Sequence, residues 1–148
     1  MKPPITPTKE ILDRRLYLTL PVGKSVNHCY ITTRWGKKIL TKEAKAWFKE
    51  ARQILMKAIN DQQWGWLQQT KVIVEAKVFW QDYRTRDTSN LDKNLCDAFE
   101  DYVLDNDCYL LIRWIDWEID RENPRVELAV RAFDPAKDGW QYEKEFKR

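Results

Sequence analysis

Apolar and polar residues alternate over 15–21, where Leu16, Leu18 and Leu20 are separated by Tyr17 and Thr19, the period-two mark of a half-buried strand. Pro21 and Gly23 close that run. From Thr41 to about residue 60 the period changes: Ala44, Trp47, Phe48, Ala51, Ile54, Leu55, Ala58 and Ile59 recur at three and four. This predicts an amphipathic helix with Thr41 as N-cap and Lys42, Lys45, Lys49, Arg52 and Lys57 on its outer surface. Between the two, β-branched, aromatic and basic residues surround Gly36 and predict a hairpin-like excursion. Val72, Val74, Ala76 and Val78 mark a strand over 70–80, and two further strands are predicted over 109–119 and 125–132. A second helix is predicted over 89–104, where Ser89 and Asp92 have capping-box spacing.

The order strand, excursion, helix, strand, helix, strand, strand implies an α/β domain of the α+β kind, a small mixed β-sheet with two main helices packed on one face. Three prolines in the first seven residues predict an unpacked, flexible arm over 1–14. The body then spans 15–133, and a tail over 134–148 carries Trp140, Tyr142 and Phe146. That tail serves equally well to dock on the body or on a partner.

Composition narrows the functional classes. With 148 residues, 43% of them hydrophobic, and eight Trp, the chain can bury a core as one globular domain. Its three cysteines, Cys29, Cys96 and Cys108, show no C-x-x-C spacing, which argues against a disulfide framework or a zinc ribbon and for a reducing, cytoplasmic setting. The N-terminus has no apolar leader and no run long enough to span a membrane, so a soluble intracellular protein is expected. The single histidine, His28, excludes histidine-based metal clusters and allows a Ser/His/Asp triad only through itself. Carboxylates are then the natural agents of any catalysis.

Charge is segregated. Residues 1–60 carry thirteen Lys and Arg against four acids, while 82–107 carry eight acids against Arg84, Arg86 and Lys93. Basic flanks suit a phosphate backbone. On the predicted second helix Asn90, Lys93, Asp97 and Asp101 share a side, with Asp87 before it and Asp107 beyond. Clustered carboxylates repel one another unless a cation sits among them, and Mg²⁺ needs only two or three such oxygens. An ion held there would polarise a phosphodiester and activate water, with a lysine such as Lys93 offsetting the charge that develops. Acid-rich helices are also commonly solvated faces or capping devices, so spacing alone leaves both readings open.

The stretch "RDTSNLDKNLCDAFEDYVLDND" resembles the signature of the RusA family of Holliday junction resolvases, an Asp-x-Asp-Asn segment, a helix with Lys and Asp-Ala-Leu, and an acidic pair. Upstream, "LYLTLPVGKSVNHCY" and "GKKILTKEAKAWFKEA" are similar to the family's opening strand with its Asn-x-x-Tyr segment and to its basic turn and first long helix. The resemblance covers about 15–132. It implies a RusA-like fold and a homodimeric endodeoxyribonuclease, dependent on Mg²⁺ with Mn²⁺ as a substitute, that resolves four-way DNA junctions by paired symmetric nicks in recombination and repair. Phage or prophage origin, a cytoplasmic DNA-associated location and no membrane partner go with it.

Carried over position by position, the resemblance makes Asp87, Lys93 and Asp107 catalytic and Asp87, Asp97 and Asp107 the metal ligands, with Ser89, Asn90 and Asn106 supporting them. Ser89 stands where the family pattern has its second catalytic aspartate, and a hydroxyl is a poorer ligand for Mg²⁺ than a carboxylate. The alternative is therefore a junction-binding relative with weak or no nuclease activity; a dimeric interaction module without a nucleic-acid role is a third reading. Asn27 and Tyr30 enter the DNA-binding set through the resemblance, joined by Arg34, Lys37, Lys38, Arg84 and Arg86 as backbone contacts. Plain alternatives are a solubilising turn for the lysines and a bridge to Asp82 for the two arginines. Trp35 either stacks on an unpaired base or packs within the fold or a dimer.

Overall fold

The alternation at the start of the chain becomes β1 (Leu16–Leu20), buried at every second residue. In the computed structural model, which describes residues 1–23 and 28–147, β1 is the outer strand of a four-stranded sheet. Its other members are β4 (Val72–Trp80), β5 (Leu110–Ile119) and β6 (Arg125–Ala132), in the order β1-β6-β4-β5. β6 runs antiparallel to both β1 and β4, whereas β4 and β5 are parallel. The mixed α+β architecture expected from the sequence is thus the observed one.

Strand β4 lies inside the sheet and is buried along nearly its whole length, which is why it reads as a continuous apolar run rather than a clean alternation. A parallel pair needs a crossover. Here residues 81–109 leave the end of β4 and return to the start of β5, and every acidic candidate lies on that crossover. The long helix α2 (Lys42–Gln62) is capped by Thr41, whose hydroxyl accepts from the Ala44 amide, and it buries Ala44, Phe48, Ala51 and Leu55 against β1 and the crossover helix. Leu16, Leu55, Trp64, Val74 and Phe99 lie together at the centre of the core. The predicted excursion is a separate hairpin, β2 (Tyr30–Thr32) and β3 (Lys38–Leu40), turning at Gly36 with φ 78°.

Three expectations are corrected. The second helix does not run over 89–104: a 3₁₀ turn at Thr88–Leu91 leads into α3 (Asp92–Phe99), and Asp101 adopts a left-handed φ of 69°. Val103 and Leu104 are fully buried, and the Leu67 amide donates to the Val103 carbonyl while the Asp105 amide donates to that of Leu67. Pairing with this neighbouring segment, at two tertiary hydrogen bonds, outcompetes one more helical turn. The Ser89/Asp92 capping box is also absent, since no side chain caps α3 and Asp92 instead accepts 2.7 Å from the Trp114 indole of β5. Third, the N-terminal stretch does not stand free. The Ile5 amide donates to the Gln69 carbonyl, Tyr109 Oη donates to the Lys2 carbonyl, and residues Lys9–Asp13 form the short helix α1.

The tail forms a last short helix, α4 (Pro135–Asp138), anchored by an ion pair from Arg131 to Asp138. Trp140, Tyr142 and Phe146 pack on one another, with centroids 5.3 and 5.8 Å from the Trp140 ring, and stay exposed.

Candidate active site

Three carboxylates meet at the end of α3. One oxygen from each of Asp97, Glu100 and Asp107 lies within 4.8 Å of the other two, and all three side chains are half-buried. Local structure puts them there. Leu95, Ala98 and Phe99 anchor α3 in the core, so Asp97 points away from it, and Glu100, the C-cap three residues on, lies beside Asp97. Asp107 arrives from the far end of the crossover, opening a 3₁₀ turn whose cap is Asn106; its Oδ1 accepts 2.9 Å from the Cys108 amide. Asn106 thus orients the acid that follows it.

Lys93 lies one turn before Asp97 and bridges to it, Nζ to Oδ2 at 3.0 Å. The hydrogen bond and charge of Asp97 raise the Lys93 ammonium above its usual pKa against a smaller burial effect, and Tyr30 and Asp107 add to the rise. Behind the acids, burial pushes the Cys96 thiol up to about 12, helped by Asp107, Asp92 and Asp97, so this cysteine stays a neutral thiol. Lys93, Asp97 and Asp107 thus lie within reach of one another's charge.

Asp97 and Glu100 open into a cleft of about 620 Å³ lined also by Tyr30, Phe48, Arg52 and Tyr102; Asp107 borders them without lining it. Arg52 enters from α2, its guanidinium carbon 5.1 Å from the Phe48 ring centre. Among the described residues its buried Nε meets no hydrogen-bond acceptor. A cationic side chain thus shares the cleft with Asp97 and Glu100, with no ion pair to either among the described residues.

Asp87 lies elsewhere. It is exposed at the head of the 3₁₀ turn, makes no capping bond, and lines a second cleft of about 900 Å³ with His28, Trp80, Arg84, Arg86 and Asn90. The predicted ligand set is therefore brought together only in part: Asp97 and Asp107 meet, Glu100 joins them, and Asp87 stands outside that group. Ser89 is exposed within the 3₁₀ turn. Arg84 and Arg86 both bridge to Asp82, at 3.4 and 2.6 Å, which is the plain reading of that pair. The Arg84 amide and the Arg86 side chain hold the Asp82 carboxyl below its usual range. Arg34, Lys37 and Lys38 are exposed on the hairpin, and Asn27 lies outside the described residues.

Glu100 and Arg52 were not singled out as site residues by sequence. The signal for Glu100 was its i,i+3 spacing from Asp97. Arg52 looked like one more outward base on α2, and only the packing of that helix across the crossover shows otherwise.

An α+β domain whose crossover gathers carboxylates and a lysine, bordered by basic surface, has the parts of a phosphodiester-cleaving domain. Residues 20–131 match the family described as Endodeoxyribonuclease RusA, and the chain belongs to the RusA endodeoxyribonuclease family. The family is one of nucleases acting on Holliday junctions, and its resolvases are in general metal-dependent. No curated protein matches the chain. Among the described residues, no helix is long and apolar enough to cross a membrane.

Proposed function

We propose that this protein is a Mg²⁺-dependent endonuclease that resolves four-way DNA junctions by paired symmetric nicks, with Asp97, Glu100 and Asp107 as its metal-binding acids. The observation that carries the reading is their convergence, with Lys93 3.0 Å from Asp97, on the crossover within the family match. The donors fit the ion: all are carboxylate oxygens, half-buried and close together, the set that hard divalent cations take. When bound, Mg²⁺ or Mn²⁺ supplies Lewis acidity to the phosphate and a more acidic water.

The chain's own groups do the rest. Lys93 places a positive charge where charge develops on the phosphate, and Arg52, which lines the same cleft as Asp97 and Glu100, offers guanidinium donors. Glu100 adds a third carboxylate to Asp97 and Asp107 in a chain that has a serine at position 89. Asp87, exposed and free of a capping bond at the head of the crossover, is a further ligand or catalytic acid reached from the neighbouring cleft. Asn90 lines that cleft beside it, and Asn106 holds Asp107 in place.

Arg34, Lys37 and Lys38, exposed on the hairpin, and Arg84, at the second cleft, hold DNA strands, with Tyr30 at the wall of the acidic cleft. Paired nicks require two copies of the site, hence a homodimer; the edge strand β5, with Ile115 and Trp117 exposed, offers a surface for it. A cytoplasmic, phage- or prophage-encoded enzyme of recombination and repair is the matching setting.

The test is cleavage of an end-labelled four-way junction beside a linear duplex of the same arms, with Mg²⁺ and with chelator. Symmetric nicks confined to the junction and lost with chelator are expected. Junction binding without any cleavage would leave a binding relative that lost its chemistry through Ser89.

A further inference from the structure

The β2–β3 hairpin leaves the body beside the active cleft. Its first residue, Tyr30, lines that cleft, and its tip lies outside the main sheet. The tip is closed by its own bonds: the Thr33 amide donates 2.8 Å to the Lys37 carbonyl, the Gly36 amide donates 2.9 Å to that of Thr33, and the Lys37 amide reaches the Thr33 hydroxyl. Gly36, at φ 78°, permits this tight turn. The tip is therefore an ordered projection.

On that projection Trp35 is 82% exposed. An indole in the fold's interior would be nearly covered, so packing within the fold does not explain it. Arg34 lies over the ring, its guanidinium carbon 4.9 Å from the centroid, a contact that biases the indole plane while most of the ring stays open to solvent. From Tyr30 to Lys42 the chain carries Arg34, Lys37, Lys38 and Lys42 and no acid.

We propose that Trp35 is a stacking platform for an unpaired or unstacked base at the branch point of a DNA junction. The occupant must combine negative charge with a flat π-face, which a nucleic-acid base on its phosphate backbone does. A second copy of the tip would bring like charges together. A continuous duplex is a poor occupant because its base faces are already stacked, so the platform selects branched or single-stranded DNA. The extended chain from Tyr30 to Thr33, three steps of about 3.3 Å, puts the tip roughly 10 Å from the cleft wall, a few nucleotides along a strand held there. The tip thus grips the branch while the cleft engages a phosphate nearby.

The experiment compares the full-length protein with its Trp35→Ala and Trp35→Phe variants for binding to a four-way junction and to a linear duplex, in chelator so that no cutting occurs. Trp35→Ala is expected to weaken junction binding about 10- to 100-fold, the loss typical of one stacked base, with duplex binding changed less than about threefold. Trp35→Phe should recover most of the loss. Unchanged junction affinity, an equal loss on both DNAs, or a change in the sedimentation of the free protein would each overturn the assignment, the last by making a second copy the occupant. Because metal is absent, a protein that binds junctions but fails to cut them refutes the nuclease reading and leaves this test intact. A wild-type protein with no affinity for junctions refutes both.

Discussion

Lys93 Nζ and Asp97 Oδ2, one helical turn apart on α3, are 3.0 Å apart, so the crossover's single lysine is held against one of its three clustered acids. The pair is partly exposed and contributes little to stability. Its value lies in position: on the proposed function, the lysine beside the acidic group meets a phosphate oxygen there.

Replacing Lys93 with Met should therefore lower the single-turnover cleavage rate by about 100-fold, the usual cost of losing one group that stabilises developing charge. Junction affinity should change by less than tenfold. A rate within a few-fold of wild type in quench-flow measurements would remove Lys93 from the chemistry.

Ser89 is exposed and caps no helix, so it can be changed without disturbing the fold. Ser89→Asp is expected to leave the melting temperature unchanged and to preserve or raise cleavage at low Mg²⁺. A large loss of activity with normal folding would show that the hydroxyl itself is needed.

Asp92 accepts 2.7 Å from the Trp114 indole and so ties the start of α3 to β5. Trp114→Phe keeps the ring's apolar contacts but leaves the carboxylate without this donor, and should cost about 1 to 2 kcal/mol by denaturant unfolding. Because α3 carries Lys93 and Asp97, cleavage should fall as well. Unchanged stability would mean that water replaces the indole at no cost.

The tail gives a pH prediction. Burial disfavours the charged form of Asp138, but hydrogen bonds from Arg131 and the Asp134 amide outweigh it and lower its pKa from 3.8. A carboxyl depressed in the folded state stabilises fully above its unfolded value, and that stabilisation is lost as pH falls through the folded value. Asp138→Asn should thus destabilise the protein by about 2 kcal/mol at pH 7. The gap from wild type should close as the pH drops from about 5 to below 3.8. A gap independent of pH would point to packing instead.

How much was legible in sequence varied along the chain. The strands and α2 were readable because their apolar periods match their burial, as at Leu16, Leu18 and Leu20. The end of α3 was not, because helical periodicity continues into residues whose burial is decided by tertiary pairing with Leu67. Glu100, the C-cap of α3, is three residues beyond Asp97, so its place beside that acid needed only the i,i+3 spacing. Asp97 and Asp107, named with Asp87 through the family resemblance, do lie together, while Asp87 stands apart. Arg52 was not legible, since helical phase alone does not tell which outward base faces another element.

The most direct measurement is junction cleavage titrated with Mg²⁺ for wild type and Glu100→Gln, the substitution that removes one charge from the acidic group at constant size. The account predicts that Glu100→Gln needs at least about tenfold more Mg²⁺ for half-maximal rate while binding the junction with unchanged affinity in chelator. Identical Mg²⁺ dependence in the two proteins would contradict it and place the catalytic ion elsewhere on the crossover.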